Sequence, residues 1–186
     1  MIILGVDPGS RVTGYGVVRV QGSRLVCLEY GGLGGRTGAG AENFPARLAH
    51  IYRRLKAVVE QYSPQVMAVE DVFYSVNPKS VLKLGHARGV ILLAAGESRI
   101  PLAEYSPLEV KKAVVGYGRA SKDQIQMMVG RILGLKEKPT PLDAADALAI
   151  ALCHAFNGSF RSLESSKFGS AGRGIRSWRQ AVQTKG

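Results

Sequence analysis

The sequence predicts an α/β protein built on a mixed five-stranded sheet with helices on both faces. The first three strands are expected to be antiparallel, since an apolar run at 2–6 is followed by runs at 14–20 and 24–31 across short glycine-containing connections. Beyond them the hydrophobic period alternates between that of helix and that of strand, which gives the order β-β-β-α-β-α-β-α-α-α. A meander followed by alternating elements is typical of a mixed sheet covered by helices.

The later elements follow from local composition and period. Segment 31–42 is predicted to be a loop, because its six glycines are too many for the interior of an element. Apolar residues then recur every three or four positions from Asn43, which predicts a helix, and 65–69 is predicted to be a central strand. A long helix is expected over about 78–98. The remaining predictions are a strand at 101–105 and helices near 107–115, 121–135 and 141–156.

Charge is the most unusual property of the chain. Its 186 residues include 25 Lys and Arg against 14 Asp and Glu, so the net charge is +11. Such a surface attracts polyanions, which makes nucleic acid or an anionic membrane the first partner to consider. We expect a folded domain at 1–156 and a flexible tail at 157–186 that is rich in Ser, Gly and Arg, where six basic residues face a single acid.

Other classes of protein are disfavoured by what the sequence lacks. No run of about 18 apolar residues predicts a membrane span, and the start does not resemble a signal peptide. The two distant cysteines, Cys27 and Cys153, are typical of reduced thiols rather than of a disulfide scaffold or a zinc site. The three histidines are equally scattered, which disfavours a histidine-based metal site. The reduced thiols predict a cytoplasmic protein, and we expect nucleic acid rather than a membrane as its partner.

Four carboxylates stand where apolar elements end or pack. Asp7 ends the first strand and Glu70 ends the run at 65–69, while Asp143 and Asp146 lie three residues apart on one face of the last helix. We expect these acids to meet at one edge of the sheet, where four like charges require cations. Oxygen ligands without Cys or His favour Mg²⁺ or Mn²⁺, and two such ions can drive phosphodiester hydrolysis. With the basic surface, the pattern predicts a metal-dependent nuclease.

Each acid also has a structural interpretation. Asp7 belongs to an Asp-Pro-Gly turn signal, and Glu70 fits a solvated strand end. Asp143 fits a capping box in which Thr140 is the N-cap and Pro141 the first helical residue. Asp146 is harder to explain in this way, because it lies a turn further into a helix of Ala and Leu and the neighbouring turns offer no Lys or Arg.

Four blocks of sequence, in this order, resemble the RuvC family of bacterial Holliday-junction resolvases. The blocks are Gly5-Val-Asp-Pro-Gly-Ser with Thr13-Gly-Tyr-Gly, Val69-Glu-Asp-Val-Phe-Tyr, Leu82-Lys-Leu-Gly-His-Ala-Arg-Gly and Asp143-Ala-Ala-Asp-Ala-Leu-Ala-Ile. The resemblance covers about 1–156. It implies an RNase H-like fold and a homodimeric, Mg²⁺-dependent endonuclease that makes symmetric nicks in four-way DNA junctions during homologous recombination and DNA repair. It further implies 5′-phosphate and 3′-hydroxyl ends, about two Mg²⁺ per active site with Mn²⁺ as a substitute, and a branch-migration helicase as partner.

The resemblance also assigns residues. The catalytic and metal-binding tetrad of the family falls on Asp7, Glu70, Asp143 and Asp146. The junction-opening aromatic falls on Phe73, with Tyr74 beside it, and the functional lysines fall on Lys111 and Lys122. An exposed ring next to a catalytic strand end can stack on an unpaired base, and basic groups can anchor or polarise a phosphate. The structural alternatives are a core position for Phe73 and solvated positions for both lysines.

The helix expected at 78–98 is apolar on almost every side between Gly89 and Ala95. This pattern predicts that the helix is deeply buried or lies at a subunit interface. Small residues at Gly85, Ala87 and Gly89 permit close helix approach. The resemblance implies a dimer built around this helix, whose two-fold symmetry would match that of a four-way junction. Packing within the monomer is the alternative.

Three other functions stay open at this point. A related RNase H-like nuclease acting on RNA would share the acids, although such proteins are usually shorter and lack the aromatic loop. A non-catalytic junction-binding protein would use the acids structurally. The loop at 7–10 also resembles the phosphate loop of actin-like ATPases and sugar kinases, but those need two such domains, and this chain has no second copy of the loop.

Overall fold

The described part of the chain forms five strands and five helices. In a computed structural model of the chain, the backbone is described for residues 1–9, 11–34, 43–71 and 78–167. The strands are β1 (Ile2–Asp7), β2 (Val12–Gln21), β3 (Arg24–Gly34), β4 (Val66–Glu70) and β5 (Leu102–Tyr105). The helices are α1 (Phe44–Tyr62), α2 (Pro78–Glu97), α3 (Pro107–Val115), α4 (Lys122–Ile132) and α5 (Leu142–Lys167). None of these described helices is long and apolar enough to span a membrane.

The five strands form one mixed sheet in the order β3-β2-β1-β4-β5. β2 is antiparallel to both β1 and β3, whereas β1, β4 and β5 run parallel to one another. The predicted meander and mixed sheet are therefore confirmed. Because parallel strands end at the same edge of a sheet, Asp7 and Glu70 finish on neighbouring strands at one edge.

Two hydrophobic layers cover the sheet. Alternate residues of β1 belong to different layers: Ile3 packs with α3, α4 and α5, whereas Leu4 and Val6 pack with α1 and α2. This alternation follows from the two-residue period of a strand, and it places Gly5 and Asp7 on the same side as α5. Helices therefore lie on both faces, as predicted, and the carboxylates that end β1 and β4 share the face occupied by α5.

Glycines let α5 lie directly against the sheet. A Cβ added at Gly5 would lie 2.1 Å from the carbonyl oxygen of Ala147, and one added at Gly14 would lie 1.8 Å from that of Asp143. Gly14 pairs with Asp7 across β1 and β2. The close approach thus brings the first turn of α5, with Asp143, beside the end of β1.

The predicted loop at 31–42 is wrong for its first four residues, since β3 continues to Gly34. Its glycines fit this strand for a steric reason. A Cβ at Gly31 would lie 3.0 Å from the Tyr15 ring, and one at Gly32 would lie 2.8 Å from the Pro141 ring. The glycines of this segment therefore reflect close packing of Tyr15 and Pro141 against β3. Residues 35–42 lie outside the described residues.

Helix α5 also differs from its prediction at both ends. It begins at Leu142, so the predicted arrangement with Thr140 as N-cap and Pro141 as first helical residue is wrong, and the Pro141 carbonyl accepts hydrogen bonds from Ala144 and Ala145. At its other end the helix continues to Lys167 rather than stopping near 156. Contacts divide the chain into the units Met1–Phe156 and Asn157–Gly186, while the role of the second unit as a basic tail stays a prediction.

We expect Gly14→Ala to destabilise the protein by about 3 kcal/mol, because the new methyl group must displace the backbone of α5. Urea unfolding followed by circular dichroism measures this loss. Gly96→Ala is the matched control, since a Cβ at Gly96 meets nothing within 4 Å. A Gly14→Ala protein as stable as this control would contradict the close contact between β2 and α5.

Candidate active site

A pocket of about 720 Å³ opens at the edge of the sheet where β1 and β4 end. The structure brings all four predicted acids and both predicted lysines into its lining: Asp7, Glu70, Asp143, Asp146, Lys111 and Lys122. The strands contribute the first two acids and the first two turns of α5 contribute the other two. The convergence that the sequence predicted is therefore present in the fold.

Asp7 is the most deeply buried of these acids, with 9% of its surface exposed. Burial raises the pKa of Asp7 to about 8, and the nearby carboxylates of Glu70, Asp146 and Asp143 add to the rise, while Lys122 opposes it. Removing a carboxylate from water disfavours its charged form, and like charges nearby disfavour it further. Asp7 thus holds a proton at neutral pH unless a cation offsets these costs.

Glu70 shares this environment at the end of β4. Burial raises the pKa of Glu70, as does the neighbouring carboxylate of Asp146. The ammonium groups of Lys122 and Lys111 act in the opposite direction. The two strand-end acids therefore both lie in a region where negative charge is costly, and both predicted lysines are close enough to affect it.

Lys122 is the direct partner of Asp146. Its Nζ lies 3.1 Å from Oδ2 of Asp146, and this contact raises the pKa of Lys122. Lys122 is the first residue of α4, whose start is fixed by a capping box between Ser121 and Gln124. The sequence reasoning found no basic partner for Asp146 within α5, because the partner comes from a preceding helix.

Lys111 reaches the pocket from α3. That helix also begins with a capping box, between Ser106 and Glu109, directly after β5. Both lysines are thus carried by helices whose first turns are held by side-chain hydrogen bonds. The predicted junction-opening residues Phe73 and Tyr74 lie outside the described residues.

The sequence reasoning gave no role to several of the lining residues, among them Arg11, Ser80 and Leu84. Arg11 follows the turn after β1, so a basic residue beside the Asp-Pro-Gly signal was the available clue. Ser80 and Leu84 come from the first turns of α2, and no local pattern connects that helix to the end of β1. The hydroxyl of Thr13, also unremarked, is buried and has no hydrogen-bond partner among the described residues.

The donor set of the pocket fits a hard divalent cation. Carboxylate oxygens are the ligands that Mg²⁺ prefers, and a cation among them would offset the burial and the repulsion that raise the pKa of Asp7. Within the described residues, no three His, Cys, Asp or Glu side chains are already gathered at coordination distance. Lys122 instead lies against Asp146, so cation binding requires side-chain adjustments within a pocket whose backbone is in place.

Comparisons with known proteins agree on one family. The family model described as crossover junction endodeoxyribonuclease RuvC matches residues 3–154. A curated relative of that name from Syntrophomonas wolfei is 50% identical over 167 residues, which cover 89% of this chain and 95% of the relative. Another from Moorella thermoacetica is 49% identical over 169 residues, covering 91% and 99% of the two chains.

Solved structures give the same result. The structure of T. thermophilus RuvC in complex with a Holliday junction substrate is 37% identical, with a TM-score of 0.78, and the match covers 87% of this chain and 97% of that one. The yeast mitochondrial Holliday junction resolvase is 18% identical with a TM-score of 0.61 over 89% of this chain and 84% of that one, a likeness in fold alone. The predicted RNase H-like fold is confirmed.

The pKa of Asp7 predicts an unusual dependence of stability on pH. Between its ordinary value of 3.8 and about 8, the folded chain keeps a proton that the unfolded chain releases. This residue therefore lowers the free energy of unfolding as pH rises through that range, and the loss is complete above it. In metal-free buffer at pH 8, Asp7→Asn should be more stable than the parent by a few kcal/mol, an order of magnitude set by linkage.

Thermal unfolding between pH 5 and pH 9 tests this expectation, and the difference between the proteins should shrink toward low pH. Saturating Mg²⁺ provides the control, because it should raise the Tm of the parent at pH 8 far more than that of Asp7→Asn. An Asp7→Asn protein that is less stable than the parent at every pH would show that the buried carboxyl is not under electrostatic strain.

Proposed function

The chain belongs to the RuvC family of crossover junction endodeoxyribonucleases, and we propose that the four-carboxylate pocket is where it hydrolyses the DNA backbone. As a member of this family it is a Holliday-junction resolvase that acts in recombination and DNA repair. The observation that carries the proposal is the convergence of Asp7, Glu70, Asp143 and Asp146 in one pocket. A cluster of acids lowers stability, whereas a net charge of +11 attracts a polyanion, so the cluster is best explained by a reaction on a polyanion.

Members of this family depend on a metal ion, and we propose that this chain uses two Mg²⁺, for which Mn²⁺ can substitute. When bound, the ions would activate a water molecule and stabilise the leaving oxygen of the phosphodiester. The residues that would hold them are the four acids. Asp7 must lose its proton to become a ligand, so its pKa of about 8 implies that metal affinity increases as pH rises toward that value.

The lysines hold the substrate in this proposal. Lys122 and Lys111 line the pocket on the side of α4 and α3, so their ammonium groups can donate to the oxygens of a phosphate placed over the acids. Lys122 already lies 3.1 Å from Asp146, which places its charge beside the reacting group. The exposed side chain of Arg11 extends the basic lining on the β1 side and fits a contact to the adjacent backbone.

Opening of the junction is assigned to Phe73 and Tyr74. Both follow the catalytic acid Glu70 closely in sequence. An aromatic ring at that position can stack on a base that is unpaired at the crossover. We expect hydrolysis to give paired, symmetric nicks with 5′-phosphate and 3′-hydroxyl ends.

The outer face of α2 supports the proposal of a homodimer. Ala87, Ile91 and Ala94 pack this helix against the sheet, whereas Leu82 and Leu93 on its other side are 63% and 55% exposed. With Leu48 of α1 the outer face forms an apolar groove of about 560 Å³, lined further by Val81, Gly85, His86, Gly89, Val90 and Leu93. Exposed apolar groups of this extent mark an interface, and a two-fold dimer would present two pockets to a junction of the same symmetry.

The family relationship also supports two broader proposals: a branch-migration helicase as a partner and the bacterial cytoplasm as the place of action. No described surface indicates where the helicase binds. The competing functions are separated by substrate, because an RNA-directed nuclease would cut an RNA–DNA hybrid and a purely structural set of acids would cut nothing.

Asp7→Asn should lower the rate of junction cleavage by about 1,000-fold or more, since it removes a ligand from the charge-stabilising site. Junction affinity should persist or increase, because the substitution removes a charge that repels phosphate. Mg²⁺-dependent cleavage of a labelled four-way junction, a linear duplex and an RNA–DNA hybrid provides the measurement, with paired nicks expected in the junction alone.

Glu60→Gln is the control, because Glu60 is an exposed acid on α1. The Glu60→Gln protein should cleave the junction at the parental rate. Loss of binding together with cleavage in Asp7→Asn would contradict the assigned role of this acid. Cleavage of the hybrid in preference to the junction would contradict the substrate.

Leu93→Glu should raise the dimer dissociation constant by about 100-fold, because it buries an unpaired charge in the proposed interface. Sedimentation velocity at micromolar concentration measures the change. Leu108→Glu is the matched control: Leu108 on α3 is 51% exposed and lies outside the groove. A parent protein that sediments as a monomer, or a Leu93→Glu protein that sediments as the parental dimer, would remove the α2 interface from the proposal.

A further inference from the structure

Arg88 contacts the end of β4 without lining the catalytic pocket. Its Nη1 donates a hydrogen bond of 2.7 Å to the backbone carbonyl of Glu70. Its Nη2 forms an ion pair with the carboxylate of Glu104 and lies 3.8 Å from that of Asp71. The side chain of Arg88 is only 17% exposed, whereas its carboxylate partners Asp71 and Glu104 are 46% and 47% exposed.

These contacts come from the side of the sheet opposite to α5. Arg88 lies one turn before Ile91, which packs in the layer formed by α1 and α2. Glu104 pairs with Val69 across β5 and β4, and Val69 belongs to that same layer. The side chain of Glu70 takes the alternate direction and reaches the acids on the α5 side. Arg88 thus contacts the backbone of Glu70 from the side of the sheet that α1 and α2 cover.

The backbone at this point lies at the end of the pairing between β4 and β5. The last hydrogen bond that joins β4 to β5 runs from the Asp71 amide to the Tyr105 carbonyl at 2.8 Å. Glu70 lies immediately before it, and both burial and the neighbouring carboxylate of Asp146 disfavour the charge of its side chain. A guanidinium can bind a carbonyl and a carboxylate at once through its fixed fork, whereas a single-point donor cannot impose the same orientation.

We propose that Arg88 is a positioning residue for Glu70. By tying the Glu70 carbonyl to α2 and to Glu104, it fixes the direction in which the Glu70 carboxylate enters the pocket, although it touches neither substrate nor metal. The proposal rests on the proposed role of Glu70 as a metal ligand. Outer partners that orient a ligand in this way usually change metal affinity or activity by 10- to 100-fold when they are removed.

The test compares Arg88→Gln and Arg88→Lys with Arg54→Gln. Arg54 makes an ion pair of 2.6 Å with Glu29 and none of its partners lines the pocket, so its loss reports a stability effect alone. Mn²⁺ binding to the metal-free proteins is measured by electron paramagnetic resonance. Single-turnover cleavage and junction affinity are measured on the same proteins, together with hydrogen exchange of the Asp71 amide.

We expect Arg88→Gln to weaken Mn²⁺ binding by about 10-fold and to slow single-turnover cleavage by about 10- to 100-fold, a range typical of outer-ligand substitutions. Junction affinity should change by less than about 3-fold, since DNA contacts are not involved. Exchange of the Asp71 amide should accelerate while amides of β1 keep their parental rates. Arg88→Lys should recover part of each loss because it keeps the charge without the fork.

The proposal is overturned if Arg88→Gln lowers only the unfolding free energy, or if Arg54→Gln changes Mn²⁺ binding and cleavage equally. Glu104→Gln provides a second variant should Arg88→Gln fail to fold. It removes the carboxylate that pairs with Arg88 and should give smaller changes of the same kind. Failure of the proposed metal site is distinguishable: the parent would then bind no Mn²⁺, whereas the exchange of the Asp71 amide would still report on Arg88.

Discussion

The cost of gathering four carboxylates in a partly buried pocket is the constraint around which this structure is organised. Asp7 is buried beside three other acids, and the rise of its pKa to about 8 measures how unfavourable its charge is there. Such an arrangement lowers stability, so the surrounding fold must hold it in place. Backbone contacts of α5 with Gly5 and Gly14 do so, because they fix the helix against the sheet without side chains between them. The pocket therefore depends on close backbone packing.

Charges of opposite sign have separate roles in this arrangement. The net charge of +11 favours approach of DNA from a distance, whereas the acids repel a phosphate at close range. Lys122 contributes to both effects, since it partly neutralises Asp146 and lines the space above the acids. A divalent cation would complete the change in sign at the point of reaction. The basic surface gathers the substrate, and the acids make its reaction depend on metal.

The sequence predicted most of the elements and the convergence of the four acids because those signals are local. Strand ends, caps and hydrophobic periods are properties of short segments, and α3 indeed has the predicted bounds. The errors arose where distant packing decides the outcome. Gly31 and Gly32 belong to β3 because other residues pack against them, and the partner of Asp146 comes from α4. The contact of Arg88 with Glu70 likewise depends on how α2 crosses the sheet.

Helix α2 connects the two main proposals physically. Its inner side places Arg88 against the end of β4, and its outer side presents Leu82 and Leu93 to a second copy of the chain. In the proposed dimer the same rigid element therefore forms the interface and supports Glu70 in each subunit. The distance between the two pockets is then set by how α2 packs against its copy and against the end of β4. Two symmetric cuts in one junction require such a fixed separation, and in the proposed dimer a single helix would provide it.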